Sequence, residues 1–300
     1  MVEATQAQVG LNMWLVLGAD GQLGRSLQVV LASSGIACTA LNRTAVDITK
    51  MSQVAAVVRD LRPSVVVNSA AWTAVDAAED NEDGAYVVNC LGPGGVAAVA
   101  AGNGARFVHI STDYVFSGNS TTPFREDDKP APVSAYGRTK AAGEHAVELA
   151  HPTGSLIVRT AWLYSRFGSN FARTMARKAL ANEPVRVVND QVGQPTLSLD
   201  LAAHIVDLVE KDAPAGVYHG TNSGSCTWFD FAFQIYRLLG ADTSLVTPVT
   251  SSEYPTRAVR PAYSVLDHGN TVRAHLAPMR PWLEALEVEM PHIVAELNEA

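Results

Sequence analysis

The first half of the chain alternates between two hydrophobic rhythms. Short apolar runs at 13–18, 36–41, 64–68, 106–111 and 155–160 have the length and β-branched content of strands buried on both faces. Between them, at 22–33, 54–61, 85–101 and 136–149, apolar residues recur at helical spacing. Pro63 punctuates the second of these helices, and Gly92, Pro93, Gly94 and Gly95 are expected to kink or divide the third. Strand, helix, strand at this rhythm predicts an α/β fold with a doubly wound parallel sheet and right-handed crossovers. After about residue 161 the rhythm loosens. Helices are expected at 170–181, 199–209 and 229–239, short extended pieces at 185–188 and 216–219, and loops over 240–262.

The first strand runs straight into Gly18-Ala19-Asp20-Gly21-Gln22-Leu23-Gly24, with a helix following. Gly18 allows a tight turn, Gly21 lets the backbone approach a diphosphate, and Gly24 lets helix and strand pack closely, while free amides at the helix start face the anion. This is the arrangement of a Rossmann-type dinucleotide site. An NAD site places an acidic residue about 20 residues after the glycines, on the ribose hydroxyl. Here the second strand ends Leu41-Asn42-Arg43, without a carboxylate. Arg43 can meet a 2′-phosphate with a forked contact, so NADPH is the expected cofactor, with NADH left open. The chain then divides into a loose extension 1–12, a Rossmann domain 13–160, and a smaller C-terminal α/β lobe 161–300. That lobe is expected to bind substrate, with some segments returning to the sheet.

The fourth strand leads into Ser111-Thr112-Asp113-Tyr114, and Tyr136 and Lys140 follow four residues apart, on one helical face. A phenol near pKa ~10 is a poor acid at neutral pH, and a nearby ammonium lowers that value. Tyr136 is thus the candidate general acid or base, Lys140 its electrostatic partner, and Thr112 a hydroxyl for the same substrate oxygen.

Composition narrows the function. The 300 residues carry 22 basic and 30 acidic side chains, a net charge of −8, which argues against nucleic acid as the main partner. No run of ~18 apolar residues predicts a membrane span, and the N-terminus lacks the features of a secretory signal. Cys38, Cys90 and Cys226 are isolated, which fits a reducing cytoplasm, and the eight histidines form no metal-ligand pattern.

These motifs resemble the extended short-chain dehydrogenase/reductase superfamily and, within it, the dTDP-4-dehydrorhamnose reductase family, over residues 13–266. The resemblance is carried by Asn68-Ser69-Ala70-Ala71-Trp72-Thr73-Ala74-Val75-Asp76 with Glu79 and Asn89, and by the catalytic strand end 111–116. Further matches are Arg159-Thr160-Ala161-Trp162-Leu163-Tyr164, the segment 189–196 containing Gln194, and Tyr254-Pro255-Thr256-Arg257 with Arg260-Pro261. It implies that Tyr136 donates the proton, Lys140 holds the nicotinamide ribose and Thr112 binds the reacting oxygen. Gly21, Gln22 and Leu23 would touch the diphosphate, Asp47 and Ile48 the adenine side. Ala70, Ala71, Trp72, Thr73 and Asn89 belong to the cofactor side, and Asp113, Trp162 and Gln194 to the substrate side. The implied reaction is NADPH-dependent reduction of the C4 ketone of a dTDP-4-dehydro-6-deoxyhexose.

Both ligands are polyanions and the protein is net negative, so local donors must bind them. Arg257 and Arg260 are the candidates for the substrate diphosphate, and Tyr114 and Trp162 offer flat apolar surface. Some family members dimerise through magnesium held by glutamates. This chain has Arg25-Ser26 and Leu197-Ser198-Leu199 at those places, so no metal is expected, and a monomer or weak homodimer is. A dehydratase would need a glutamate where Tyr114 stands, and a 4-epimerase would retain NAD. A non-catalytic subunit resembling that of methionine adenosyltransferase is the remaining alternative.

Overall fold

A computed structural model describes residues 13–299; the extension expected at 1–12 lies outside them. Six parallel strands form the central sheet: β1 (Trp14–Leu17), β2 (Cys38–Leu41), β3 (Val65–Asn68), β4 (Arg106–Thr112), β5 (Ser155–Thr160) and β10 (Gly216–His219). Their order is β2-β1-β3-β4-β5-β10. The chain leaves β1 to one side and returns to its other side, which makes the β1/β3 junction the switch point of a doubly wound sheet.

Alternation along each strand builds two cores. On one face Trp14, Val16, Val65, Val67 and Val108 meet Leu23, Leu27 and Leu31 of α1 (Gln22–Ser33) and Leu201, Ile205 and Leu208 of α8 (Ser198–Glu210). A buried hydroxyl pair, Ser26 to Ser198 at 2.7 Å, joins the two helices. On the other face Leu15, Leu17, Val66 and Phe107 pack against α2 (Met51–Leu61), α5 (Gly92–Gly102) and α6 (Ala135–Ala150). Both α8 and β10, from the second half of the chain, thus belong to the sheet layers.

The smaller lobe has its own core. Here α7 (Phe171–Leu180), α9 (Trp228–Leu238) and α11 (Trp282–Glu299) enclose the parallel pair β7 (Val185–Val188) and β12 (Val246–Val249). Strand β12 falls in the stretch read as loop. Helix α11, which the pattern did not suggest, continues through Pro291, with Leu286, Met290 and Ile293 buried.

The break expected at the 92–95 glycines is corrected by the structure. Short helices α3 (Val75–Asp80) and α4 (Glu82–Tyr86) precede a π-helical turn at Val87–Leu91, and α5 then runs through the glycines intact. Those glycines serve close packing instead: a Cβ at Gly92 would press on Ile48, and one at Gly95 would overlap Met51. The combined helix Glu82–Gly102 is, among the described residues, the one long and apolar enough to cross a membrane. Its Val96, Ala97 and Ala100 are fully enclosed between α2, α6 and the sheet, as in any core helix.

Candidate active site

A cleft of about 740 Å³ opens at the carboxyl ends of β1, β3, β4 and β5, over the switch point. At one end lies the glycine turn. Gly18 has φ +91, and a Cβ there would fall 2.7 Å from the Ala70 nitrogen. A Cβ at Gly24 would strike the Gly18 carbonyl, so helix α1 can lie this close to β1 only with glycine there. Gly21 caps α1 without a side-chain hydrogen bond, and the first turn carries no acidic residue. A Cβ at Gly21 would meet just the Gly18 oxygen, at 3.4 Å. The helix start is thus an open, unneutralised cradle that fits a diphosphate. Gln22 ties it to the smaller lobe, its Oε1 accepting from Ser165 at 3.1 Å and Asn170 at 3.0 Å.

Gly18, Gly21, Gln22, Leu23, Arg43, Asp47, Ile48, Ala70, Ala71 and Thr73 all line this cleft, as do Thr112, Asp113, Tyr114, Tyr136, Lys140 and Trp162. Arg43 stands at the rim with its side chain 85% exposed and an Asp47 oxygen 3.8 Å away. Asp47 is itself turned inward to the Thr49 amide and hydroxyl, and those bonds hold its carboxyl below the usual range.

Strand β4 delivers Thr112, and Ser134 caps α6 so that Tyr136 and Lys140 face the same end of the cleft. Thr112 donates to Asp113 at 3.0 Å and accepts the Tyr114 amide at 3.2 Å. Burial pushes the Tyr136 phenol above its ordinary value, opposed by a hydrogen bond with Thr112 and reinforced by Asp113 and Tyr114. Lys140 is buried one turn further along α6. Its Nζ donates to the Ile110 carbonyl at 2.6 Å and lies 3.3 Å from Nε2 of His109. Burial keeps His109 neutral and lowers Lys140 to about 8. Asp113 is raised to about 6 by burial, and its Oδ2 has no hydrogen-bond partner among the described residues. Tyr114, its ring edge-on to Tyr136 at 5.6 Å, is raised to about 12, again by burial.

Behind this group lies a fully buried ion pair. Arg159 donates to both Glu144 oxygens, at 2.9 and 2.7 Å, while Ser111 donates to the same carboxylate. It anchors α6 to β4 and β5 directly beneath Lys140.

Six residues named from the sequence lie off the cleft wall. Gly24 serves the close helix–strand packing expected of it. Trp72 packs beside Tyr136 and Ala135, its Nε1 donating to the Ala74 carbonyl at 3.1 Å. Asn89, in the π-turn, accepts from the Trp72 amide at 2.8 Å and donates to the Trp72 carbonyl at 3.1 Å and to Thr139 at 3.1 Å. Gln194 is buried, accepting from Leu266 at 2.8 Å and Thr221 at 3.0 Å. Arg257 pairs with Asp80 on the surface. Arg260 pairs with Asp76 at 2.7 Å and reaches the Tyr114 hydroxyl at 3.4 Å.

Sequence reasoning missed other lining residues. Asn42 and Asp20, joined at 2.8 Å, flank the rim near Arg43. Thr160 is the register partner of Thr112, and Trp228 stacks on Trp162. Thr160 was legible as the strand-end neighbour of a candidate threonine. Trp228 carried no local signal, being one of several aromatics at the start of an amphipathic helix.

Residues 12–294 match the family profile described as the RmlD substrate binding domain. A dTDP-4-keto-6-deoxy-D-glucose reductase of Streptomyces niveus is 47% identical over 95% of this chain and 99% of its own length. A dTDP-4-dehydrorhamnose reductase of Streptomyces griseus is 47% identical over 93% of each. The crystal structure of the Bacillus anthracis dTDP-4-dehydrorhamnose reductase in complex with NADP superposes with a TM-score of 0.88 at 37% identity, covering 96% of this chain and 99% of that one. With its cleft, its glycine turn and these relatives, the chain belongs to the RmlD family, the dTDP-4-dehydrorhamnose reductases, an oxidoreductase family of the short-chain dehydrogenase/reductase type.

Proposed function

We propose that the protein reduces the C4 ketone of dTDP-4-dehydro-6-deoxy-L-mannose (dTDP-4-dehydrorhamnose) to dTDP-L-rhamnose, with NADPH as reductant. The observation that carries this reading is the convergence of Thr112, Tyr136 and Lys140 at the far end of a switch-point cleft that begins at the glycine turn. The cradle at Gly21 and the rim arginine Arg43 fit a phosphorylated dinucleotide, and the nicotinamide supplies a hydride when it is bound. Lys140 presents a buried ammonium for the adjoining ribose. Thr112 orients the ketone oxygen. Tyr136, its proton held firmly by burial, delivers that proton as negative charge develops on the oxygen, a stronger base than any phenolate. Asp113 and Trp162 hold the sugar. We infer action in the cytoplasm as a monomer or weak dimer, with no metal bridging copies of the chain.

A second reading keeps the chemistry and changes the sugar. The two relatives at 47% identity carry names with different 4-keto-6-deoxyhexoses, so the epimer with the D-gluco configuration is the competing substrate. Oxidation of NADPH, followed by absorbance with each dTDP-4-keto-6-deoxyhexose generated in the same tube, decides between them. Tyr136→Phe should lower kcat by about 10²–10⁴-fold with NADPH affinity retained. No oxidation with either sugar by the folded protein would overturn the reading in favour of a non-catalytic subunit.

A further inference from the structure

Trp162 is held in an unusual way. Its φ of 46 lies in the left-handed region, which a bulky side chain adopts only where its surroundings impose it. The main chain is pinned on its carboxyl side: Thr196 donates to the Trp162 carbonyl at 3.2 Å, and β6 (Leu163–Tyr164) pairs with β9 (Thr196–Leu197). The indole is pinned too. It lies flat on the indole of Trp228, with centroids 3.7 Å apart and planes 12° from parallel. It also abuts Gly193, where a Cβ would fall 2.5 Å from its Cε2. Gly193 ends β8 (Val192–Gly193), which pairs with β11 (Cys226–Thr227), and β11 leads directly into Trp228. The slot for one indole and the surface beneath it thus come from one two-stranded ribbon. Phe171 backs Trp228 at 4.6 Å, and the Thr227–Asp230 capping box sets the start of α9. Both tryptophans line the cleft.

We propose that Trp228 is a positioning residue, which fixes the plane of Trp162 so that this ring meets the apolar C–H face of the hexose in a nucleotide-sugar substrate. The inference rests on the functional reading above and adds to it a residue and a physical task. A lone indole on a left-handed backbone has several rotamers open to it. Stacking on Trp228 selects one of them, for which the lack of a Cβ at Gly193 leaves room, so the sugar finds its platform already ordered.

The test is a double-mutant cycle at the two tryptophans, read by steady-state kinetics and by far-ultraviolet circular dichroism, in which a stacked indole pair gives an exciton couplet. Trp228→Leu should abolish the couplet and raise KM for the sugar nucleotide about three- to tenfold, the worth of an aromatic contact. KM for NADPH and kcat should change less than about twofold, below the smallest aromatic contact. Added to Trp162→Leu it should have no further effect, and Trp228→Phe should restore most of the loss. An unchanged KM after loss of the couplet, or an equal effect with Trp162 already removed, would overturn the positioning role alone. Absence of turnover by the wild type with its couplet intact would overturn the functional reading and this proposal with it.

Discussion

Lys140 sits where a charge is expensive, and that cost can be measured apart from any activity. Its side chain is 1% exposed, and burial brings its pKa from 10.5 down to about 8. At ~1.36 kcal/mol per pH unit, keeping the ammonium charged at neutral pH costs the folded state about 3 kcal/mol. Replacing it with methionine, of similar length and without charge, removes that cost. It also leaves the Ile110 carbonyl without its 2.6 Å donor, an offset of about 1–3 kcal/mol. Lys140→Met should therefore be as stable as the wild type at pH 7 or more stable by up to about 2 kcal/mol. The pH dependence is the sharper test, because the carbonyl term cancels from it. The folded pKa is depressed, so the penalty is complete below about 8 and is relieved as pH rises from there toward the unfolded value of 10.5. Wild-type stability should gain about 2 kcal/mol relative to the variant between pH 7 and roughly pH 9.5. Urea unfolding of both proteins at the two pH values, with tryptophan fluorescence as the probe, measures this. A stability difference that does not move with pH would show that the ammonium titrates as if in water, and the burial argument would fail. The same variant should bind NADPH weakly, so that stability and function part company at one residue.

Arg43→Ala should weaken NADPH by about 1–2 kcal/mol, some 5- to 30-fold, and leave NADH nearly unchanged, since the exposed guanidinium meets a 2′-phosphate in solvent. Titration at low and high salt checks it, because the NADPH preference should shrink with ionic strength. Glu144→Gln strips the counter-charge from buried Arg159 and should cost about 3–5 kcal/mol in chemical denaturation. Loss of under 1 kcal/mol would show that the pair is solvated. Gly24→Ala forces a methyl onto the Gly18 carbonyl, and should cost about 1–3 kcal/mol while weakening NADPH more than the sugar nucleotide in equilibrium binding.

The Rossmann half of the fold was legible because its signals are local. Strands buried on both faces must be continuously apolar, and crossover helices must carry an apolar stripe, so β1 to β5 and α1, α2 and α6 stand in the residue pattern within a few positions. The smaller lobe was harder for the same reason. Its strands are two to four residues long, and β12 is defined by pairing with β7, some sixty residues earlier in the chain, rather than by any rhythm of its own. Helix α11 holds its course through Pro291 because Leu286, Met290 and Ile293 are enclosed by α7 and α9, a stabilisation that appears in no local window.

The site divides along the same line. The sequence alone set the chemistry on offer: a glycine turn after a strand, an arginine where an acid would select NAD, and a tyrosine and lysine on one helical face. Only the tertiary structure decided what each group does with its neighbours. Lys140 lies against the Ile110 carbonyl and His109, neighbours that its spacing from Tyr136 does not announce. Arg257 and Arg260 are claimed by Asp80 and Asp76, carboxylates about 180 residues away in the chain. Trp228 joins Trp162 because a ribbon and a capped helix bring them face to face. Residue types and short spacings follow from covalent geometry and can be read along the chain, whereas burial, pairing and charge state depend on which distant segments close around a group, and that is settled only on folding.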